Sequence, residues 1–188
     1  MKKEYRKIIE HSPVIAAVND FESMAKALTC DSPIIFILFG DICNIAEIVE
    51  KVKNAQKLAV VHIDQITGLA SKEAAVDFIQ QQVGADGIIS SKPALIKYAS
   101  KLSLFTVLRF FVTDSHGLAH IERQLQIMKP DMIEILPVLM PKILSQVCNM
   151  VRIPVVTGGL ICDKEDVTSI LASGVSCVSS TSEDIWFL

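Results

Sequence analysis

Thr157-Gly158-Gly159-Leu160 and, one helix-length segment later, Val178-Ser179-Ser180-Thr181 running into Ser182-Glu183-Asp184-Ile185-Trp186 decide how this chain is read. Each piece follows a short apolar run, Ile153 to Val156 and Val175 to Val178. A strand that ends in Gly-Gly lets a ligand approach the backbone closely, because neither residue carries a Cβ. The next strand ends in hydroxyls at the start of a short helix. N–H groups at such a start are unpaired and carry partial positive charge, which suits an anion and above all a phosphate. In β/α barrels the loops after the seventh and eighth strands commonly hold that group.

Working outward, short apolar runs alternate with longer amphipathic ones. Strands are predicted over Val14–Val18, Ile34–Phe39, Leu58–Ile63, Gly87–Ser90, Phe105–Phe111, Met132–Leu136, Val155–Thr157 and Cys177–Ser179. Helices are predicted between them, over Phe21–Leu28, Ile42–Asn54, Lys72–Val83, Ala94–Lys101, Leu118–Met128, Lys142–Asn149 and Lys164–Ala172. Asn19 with Glu22 three residues on resembles a capping box, and Pro93 and Pro141 sit where a first helical turn accepts proline. Eight strands interleaved with helices imply parallel pairing through right-handed crossovers. The expected fold is α/β, a compact TIM-like (β/α) barrel of parallel strands with a missing or reduced helix, spanning residues 1–188 as one domain. A doubly wound open sheet is the alternative, but it usually carries an early Gly-rich loop, and G-x-G-x-x-G does not occur.

The composition fits that fold. The 188 residues are 51% hydrophobic and 21% charged, a bias that suits strands covered on both faces. The longest apolar run, Ile34 to Phe39, is far short of the ~18 residues of a spanning helix, so no membrane is expected. With no signal-peptide pattern after the charged N-terminus, a cytoplasmic location is the default. The five cysteines (Cys30, Cys43, Cys148, Cys162, Cys177) form no Cys-x-x-Cys pair and are expected to be reduced and mostly buried. A net charge of −3 leaves nucleic-acid binding to a local basic patch.

Ligands on parallel α/β folds bind at the carboxyl ends of strands, so polar residues there come first. His62 and Asp64 share one side of the third strand, and Ser90, Ser91 and Lys92 end the fourth. Arg109 and Glu134 interrupt apolar runs in strands five and six. An unpaired buried charge is costly, so the two either pair with each other across adjacent strands or point into the barrel towards a ligand. His62 and Asp64 suit acid–base chemistry or polyol binding, and Lys92 suits a Schiff base or an anion contact. His116 and His120 share a helix face but lack the H-E-x-x-H order, and read as surface histidines rather than zinc ligands. No metal site is expected.

At these residues the chain resembles the glycerol-3-phosphate-responsive antiterminator family. The matching blocks are His62-Ile63-Asp64-Gln65-Ile66-Thr67-Gly68-Leu69, Gly87-Ile88-Ile89-Ser90-Ser91-Lys92, Lys129-Pro130-Asp131 through Ile133-Glu134-Ile135-Leu136-Pro137, Gly158-Gly159-Leu160-Ile161, and Val178-Ser179-Ser180-Thr181 with Trp186. Members often continue the sixth strand as Leu-Pro-Gly, where this chain has Val138. The resemblance implies a non-catalytic barrel sensor that needs no cofactor and takes glycerol 3-phosphate as effector. In the liganded state it would act on the leader mRNA of glycerol-utilisation genes to prevent premature termination. On this reading Gly158, Gly159, Ser180 and Thr181 hold the phosphate. Asp64, Glu134 and His62 hold the glycerol hydroxyls, and Lys92 and Arg109 are additional anion contacts. Candidate RNA-facing basic spots are Lys2, Lys3, Arg6 and Lys7 around Tyr5, and Lys51, Lys53 and Lys57. A homo-oligomer is left open. The competing reading is a small phosphometabolite isomerase or lyase with Asp64 or Glu134 as base and Lys92 as electrophile. A third is a sensor acting through a protein partner.

Overall fold

The computed structural model describes residues 3–138 and 140–188. In chain order its elements are α1 (Lys3–Glu10), β1 (Val14–Val18), α2 (Phe21–Ala27), β2 (Ile34–Ile37), α3 (Ile45–Asn54), β3 (Leu58–His62), α4 (Glu73–Phe78, extended by a π turn over Ile79–Val83), β4 (Gly87–Ser90), α5 (Pro93–Lys101), β5 (Phe105–Phe111), α6 (Ser115–Ile127), β6 (Met132–Leu136), α7 (Pro141–Met150), β7 (Val155–Gly158), α8 (Lys164–Ala172), β8 (Cys177–Ser180) and α9 (Glu183–Trp186). The strands pair in sequence order, all parallel, and β8 closes on β1. This is the TIM-like barrel. Each strand is followed by a helix, and the reduced one is α9, of four residues.

Local chemistry sets the element boundaries and corrects several expectations. The box at the start of α2 is built by Asp20 and Ser23, not by Asn19 and Glu22: Asp20 Oδ1 accepts the Ser23 N–H at 2.7 Å, and Ser23 Oγ accepts the Asp20 N–H at 3.3 Å. α6 starts at Ser115, ahead of Leu118, because Asp114 caps it through the Gly117 N–H. α3 starts at Ile45 rather than Ile42. Asp41 Oδ1 accepts the N–H groups of Cys43 and Asn44, which folds Asp41 to Asn44 into a turn first. β2 stops at Ile37, beyond which the Leu38 N–H still donates to the Val18 carbonyl. Pro93 and Pro141 do occupy first helical turns.

Alternation along the strands sorts side chains between two apolar regions. Ala16, Val18, Ile35, Ile37, Val61, Ile88, Leu108, Ile133, Ile135 and Val178 face the helices. Ile15, Ala17, Ile34, Phe36, Val60, Ile89, Phe105, Val107, Met132, Val156 and Cys177 fill the barrel interior. Tyr5 and Ile9 of α1 join that interior, with Tyr5 edge-on to Phe105 at 5.1 Å, so the first helix closes the amino-terminal end. Gly87 leaves room for Phe105: a Cβ there would lie 2.4 Å from the Phe105 carbonyl oxygen.

Three polar residues latch strand pairs at the same end. Ser32 Oγ accepts from the Ala16 N–H, Asp86 from the Ala59 N–H and Asp131 from the Thr106 N–H. Moving two residues up from Val60, Val107, Met132, Val156 and Cys177, the inward positions become His62, Arg109, Glu134, Gly158 and Ser179. The interior therefore turns polar at its carboxyl end.

Candidate functional site

Arg109 and Glu134 stand opposite each other in the β5–β6 register, and Arg109 Nε donates to Glu134 Oε2 at 2.6 Å. Both side chains are buried, 6% and 1% exposed. The second carboxylate oxygen, Oε1, accepts from Ser179 Oγ of β8 at 2.8 Å. Ser179 fits because its β7 neighbour is glycine: a Cβ on Gly158 would sit 2.3 Å from Ser179 Oγ and 2.6 Å from the Ser179 carbonyl oxygen. Such an approach does not occur between real atoms without displacement. Just below, burial pushes the Cys177 thiol pKa up, and the Glu134 charge adds to the effect.

Above this layer lies a cavity of about 230 Å³, lined by Ala17, Leu38, Arg109, Glu134, Leu136, Gly159 to Ile161 and Ser179 to Ser182. It is smaller than the ~300–1,000 Å³ of drug-sized pockets and suits a small metabolite. Gly159 and Leu160 both adopt left-handed backbone, φ +77° and +61°. Strain at a non-glycine residue of this kind tends to gather at functional sites. The N–H groups of Gly159, Leu160 and Thr181 have no acceptor among the described residues. Ser180 is buried beneath its loop, where its Oγ accepts the Ser182 N–H at 3.0 Å and its carbonyl accepts Trp186 Nε1–H at 2.7 Å. The single tryptophan thus fastens α9 to the end of β8.

Asp64 and Lys92 belong to a neighbouring cluster and do not line the cavity. Asp64 accepts from Ser90 Oγ (2.9 Å), the Ser91 N–H (2.8 Å) and Ser91 Oγ (3.2 Å), and pairs with Lys92 Nζ at 3.2 Å. Lys92 Nζ also donates to Ser71 Oγ. Burial works against the Asp64 carboxylate, but the Ser91 and Ser90 hydrogen bonds and Lys92 prevail and hold its pKa below the usual value. Asp64 therefore ties the loop after β3 to the end of β4. His62 is buried, 5% exposed, and both ring nitrogens lack a partner among the described residues. Burial first, and the positive charge of Arg109 second, lower its pKa to about 4, so the imidazole is neutral.

Of the residues expected from sequence, Arg109, Glu134, Gly159, Ser180 and Thr181 meet at one cavity. Gly158 lies beneath it as a spacer. The pairing of Arg109 with Glu134 and their inward orientation, two readings set against each other in the sequence, hold together. Ser179 is not among the site residues expected from sequence; its inward parity with Cys177 is the signal that finds it. Leu38 and Ala17 complete the wall, and nothing in their residue types marks them.

Other expected features resolve simply. His116 and His120 are exposed on α6, where His120 meets the edge of Phe110. The five cysteines are free, but only Cys30 and Cys177 are buried, fewer than expected; Cys43 and Cys162 are exposed. Among the described residues there is no group of three or more His, Cys, Asp or Glu placed to hold a metal, and no helix is long and apolar enough to cross a membrane. Lys2 lies outside the described residues. Arg6 pairs with Glu10 and Lys51 with Glu47, while Lys53 Nζ donates to the Gly84 carbonyl and Lys57 Nζ to the carbonyls of Cys30 and Ser32. Lys57 is thus a structural tie at the entry to β2.

The fold and cavity define a class: a closed β/α barrel with a small, partly charged cavity of mixed polar and apolar lining at the carboxyl ends of its strands, centred on β5 to β8. Residues 14–186 match the family described as glycerol-3-phosphate responsive antiterminator, and the chain belongs to that family. It is 40% identical over 181 residues to the Escherichia coli (strain K12) protein YgcP, covering 96% of this chain and 95% of that one. Among solved structures it is similar to the glycerol uptake operon antiterminator regulatory protein of Listeria monocytogenes str. 4b F2365, with a TM-score of 0.89 and 28% identity over 94% of this chain and 95% of that one. It is also similar to a glycerol uptake operon antiterminator-related protein of Thermotoga maritima, with a TM-score of 0.83 and 30% identity over 93% and 98% of the two chains.

Proposed function

We propose that this protein senses glycerol 3-phosphate and, when liganded, binds the leader mRNA of glycerol-utilisation genes so that transcription passes the terminator. The observation that carries the reading is the coincidence of family membership with a cavity of metabolite size, where backbone N–H groups, hydroxyls and a guanidinium converge. The phosphate sits against the loops of Gly159 and Leu160 and of Ser180 and Thr181. The glycerol end lies over the Arg109–Glu134 floor beside Ala17 and Leu38; His62, whose ring nitrogens are buried, is not part of the cavity wall. Asp64 and Lys92 shape the adjoining rim.

The arrangement supports binding rather than turnover. As a lyase or isomerase the protein would need a free base and Lys92 as electrophile at one place. Glu134 already accepts from Arg109 and Ser179, and Lys92 Nζ is engaged with Asp64 and Ser71. The ligand acts on RNA only if the RNA-competent state binds it more tightly than the other state. Gel shift of a glycerol-operon leader RNA, with and without glycerol 3-phosphate, tests this: a ligand-dependent shift is expected, and an identical pattern in both lanes overturns the reading.

A further inference from the structure

Arg109 has one engaged face and one open face. Its Nε is held by Glu134, and no described residue accepts from Nη1 or Nη2. The buried side-chain nitrogens and oxygens without a partner, among the described residues, are both on His62, so the terminal nitrogens of Arg109 reach the open space of the cavity that this residue lines. A guanidinium presents its N–H groups as a rigid planar fork that matches two oxygens of a phosphate. Here that fork is fixed before any ligand arrives, because Glu134 holds it from behind.

The hold on Glu134 can be followed across the sheet. Ser179 Oγ on β8 donates to Oε1 at 2.8 Å, leaving Oε2 for Arg109. Ser179 keeps that position because residue 158 on β7 has no side chain. Four consecutive strands thus contribute one residue each: Gly158 admits Ser179, Ser179 orients Glu134, and Glu134 aims Arg109. A plain structural bridge would need neither the third residue nor an open guanidinium edge.

We infer that Arg109 is the group that reads the phosphomonoester of a small polyol phosphate, taking two of its oxygens, and that Glu134, Ser179 and Gly158 are positioning residues acting through it. The inference rests on the proposed seating of the ligand in this cavity. It moves Glu134 from a hydroxyl contact to the support of the anion contact. It moves Gly158 from the phosphate loop to the support as well.

Calorimetric titration with glycerol 3-phosphate, inorganic phosphate and glycerol tests it on the wild-type chain, Arg109→Lys, Ser179→Ala and the double variant. Arg109→Lys keeps the charge but loses the fork; it is expected to weaken glycerol 3-phosphate by about tenfold or more, the loss of one charge-assisted hydrogen bond. Ser179→Ala is expected to weaken the same ligand several-fold alone and to add nothing in the Arg109→Lys background. Wild-type affinity in Arg109→Lys overturns the inference, and so does a full additive loss in the double variant, which would mark Ser179 as acting independently of Arg109. A wild-type protein that binds none of the three probes sinks the seating itself, a different result from either.

If Arg109→Lys does not fold, the wild-type protein labelled with ¹⁵N-arginine serves instead. Arg6, Arg123 and Arg152 are exposed, so the Arg109 signal is separable by the exchange protection of its Nε–H, which Glu134 holds. Glycerol 3-phosphate is expected to shift its Nη resonances. Unmoved resonances at ligand saturation overturn the inference.

Discussion

Two adjacent glycines at the end of β7 are required for different reasons. Gly159 is needed for its left-handed backbone; the nearest atom to an added Cβ would be 3.8 Å away. Gly158 is needed for space, with contacts of 2.3 and 2.6 Å awaiting any side chain. Gly158→Ala should therefore destabilise the fold by about 1–3 kcal/mol through overpacking, read as a lower urea midpoint. His62 gives a prediction in pH. Its folded pKa of about 4 lies below the ordinary 6.5, so between those values the unfolded chain binds the proton that the folded chain refuses. Stability should be full above about pH 6.5 and fall as pH drops towards 4, by up to roughly 3 kcal/mol. Denaturation curves at pH 7 and pH 5 should show this slope in the wild type and a flatter one in His62→Leu; equal slopes would remove His62 as its source. The residue types at the site were legible because charges inside apolar runs stand out. The partners were not: nothing in the residue types says that Ser90 and Ser91 of the next strand lie within reach of Asp64 and tie its loop to β4.

At the scale of elements, α9 is too short to persist by itself, since a single helical turn does not offset the cost of nucleation. Its buried Ile185 and Trp186 and the Trp186 Nε1–H bond to the Ser180 carbonyl keep it in place. Trp186→Phe should lower stability by about 1–2 kcal/mol, the effect of leaving a buried carbonyl unpaired. The same residue is the sole tryptophan and bonds to a cavity-lining loop, so its fluorescence should change on titration with glycerol 3-phosphate and stay flat with a non-binding control. Elements with strong periodicity, β1, β4, β5, β6 and α8, appear at the bounds read from sequence. Helix starts differ from the expected ones where a side chain takes backbone N–H groups, as Asp41 and Asp114 do. α1 is not among the helices expected between strands, although Tyr5, Ile8 and Ile9 are spaced for one helical face.

For the whole molecule, α1 matters because a barrel must be closed at the end away from its ligand. Ile9, 2% exposed, sits in the interior cluster beside Tyr5 and Ile15, at the opposite end from the cavity. Ile9→Ala should cost about 2–5 kcal/mol in denaturant titration and leave glycerol 3-phosphate affinity unchanged, because distant sites contribute independently. A parallel loss of affinity would mean that the plug and the mouth are coupled.

The alternation of apolar runs and amphipathic segments by itself determined the strand order and the parallel barrel, since each run can be buried on both faces only between helices and neighbouring strands. It also determined that hydroxyls and glycines end β7 and β8. What only the tertiary structure decided is which of these groups face one another. Parity along a strand tells which side a residue is on, but Arg109, Glu134, Gly158 and Ser179 meet through the registers of four strands and the closure of the barrel. Those registers depend on how the whole core packs. The two glycines that looked alike in the sequence were separated by it, one to leave its backbone open to the cavity and one to let a serine hold a carboxylate.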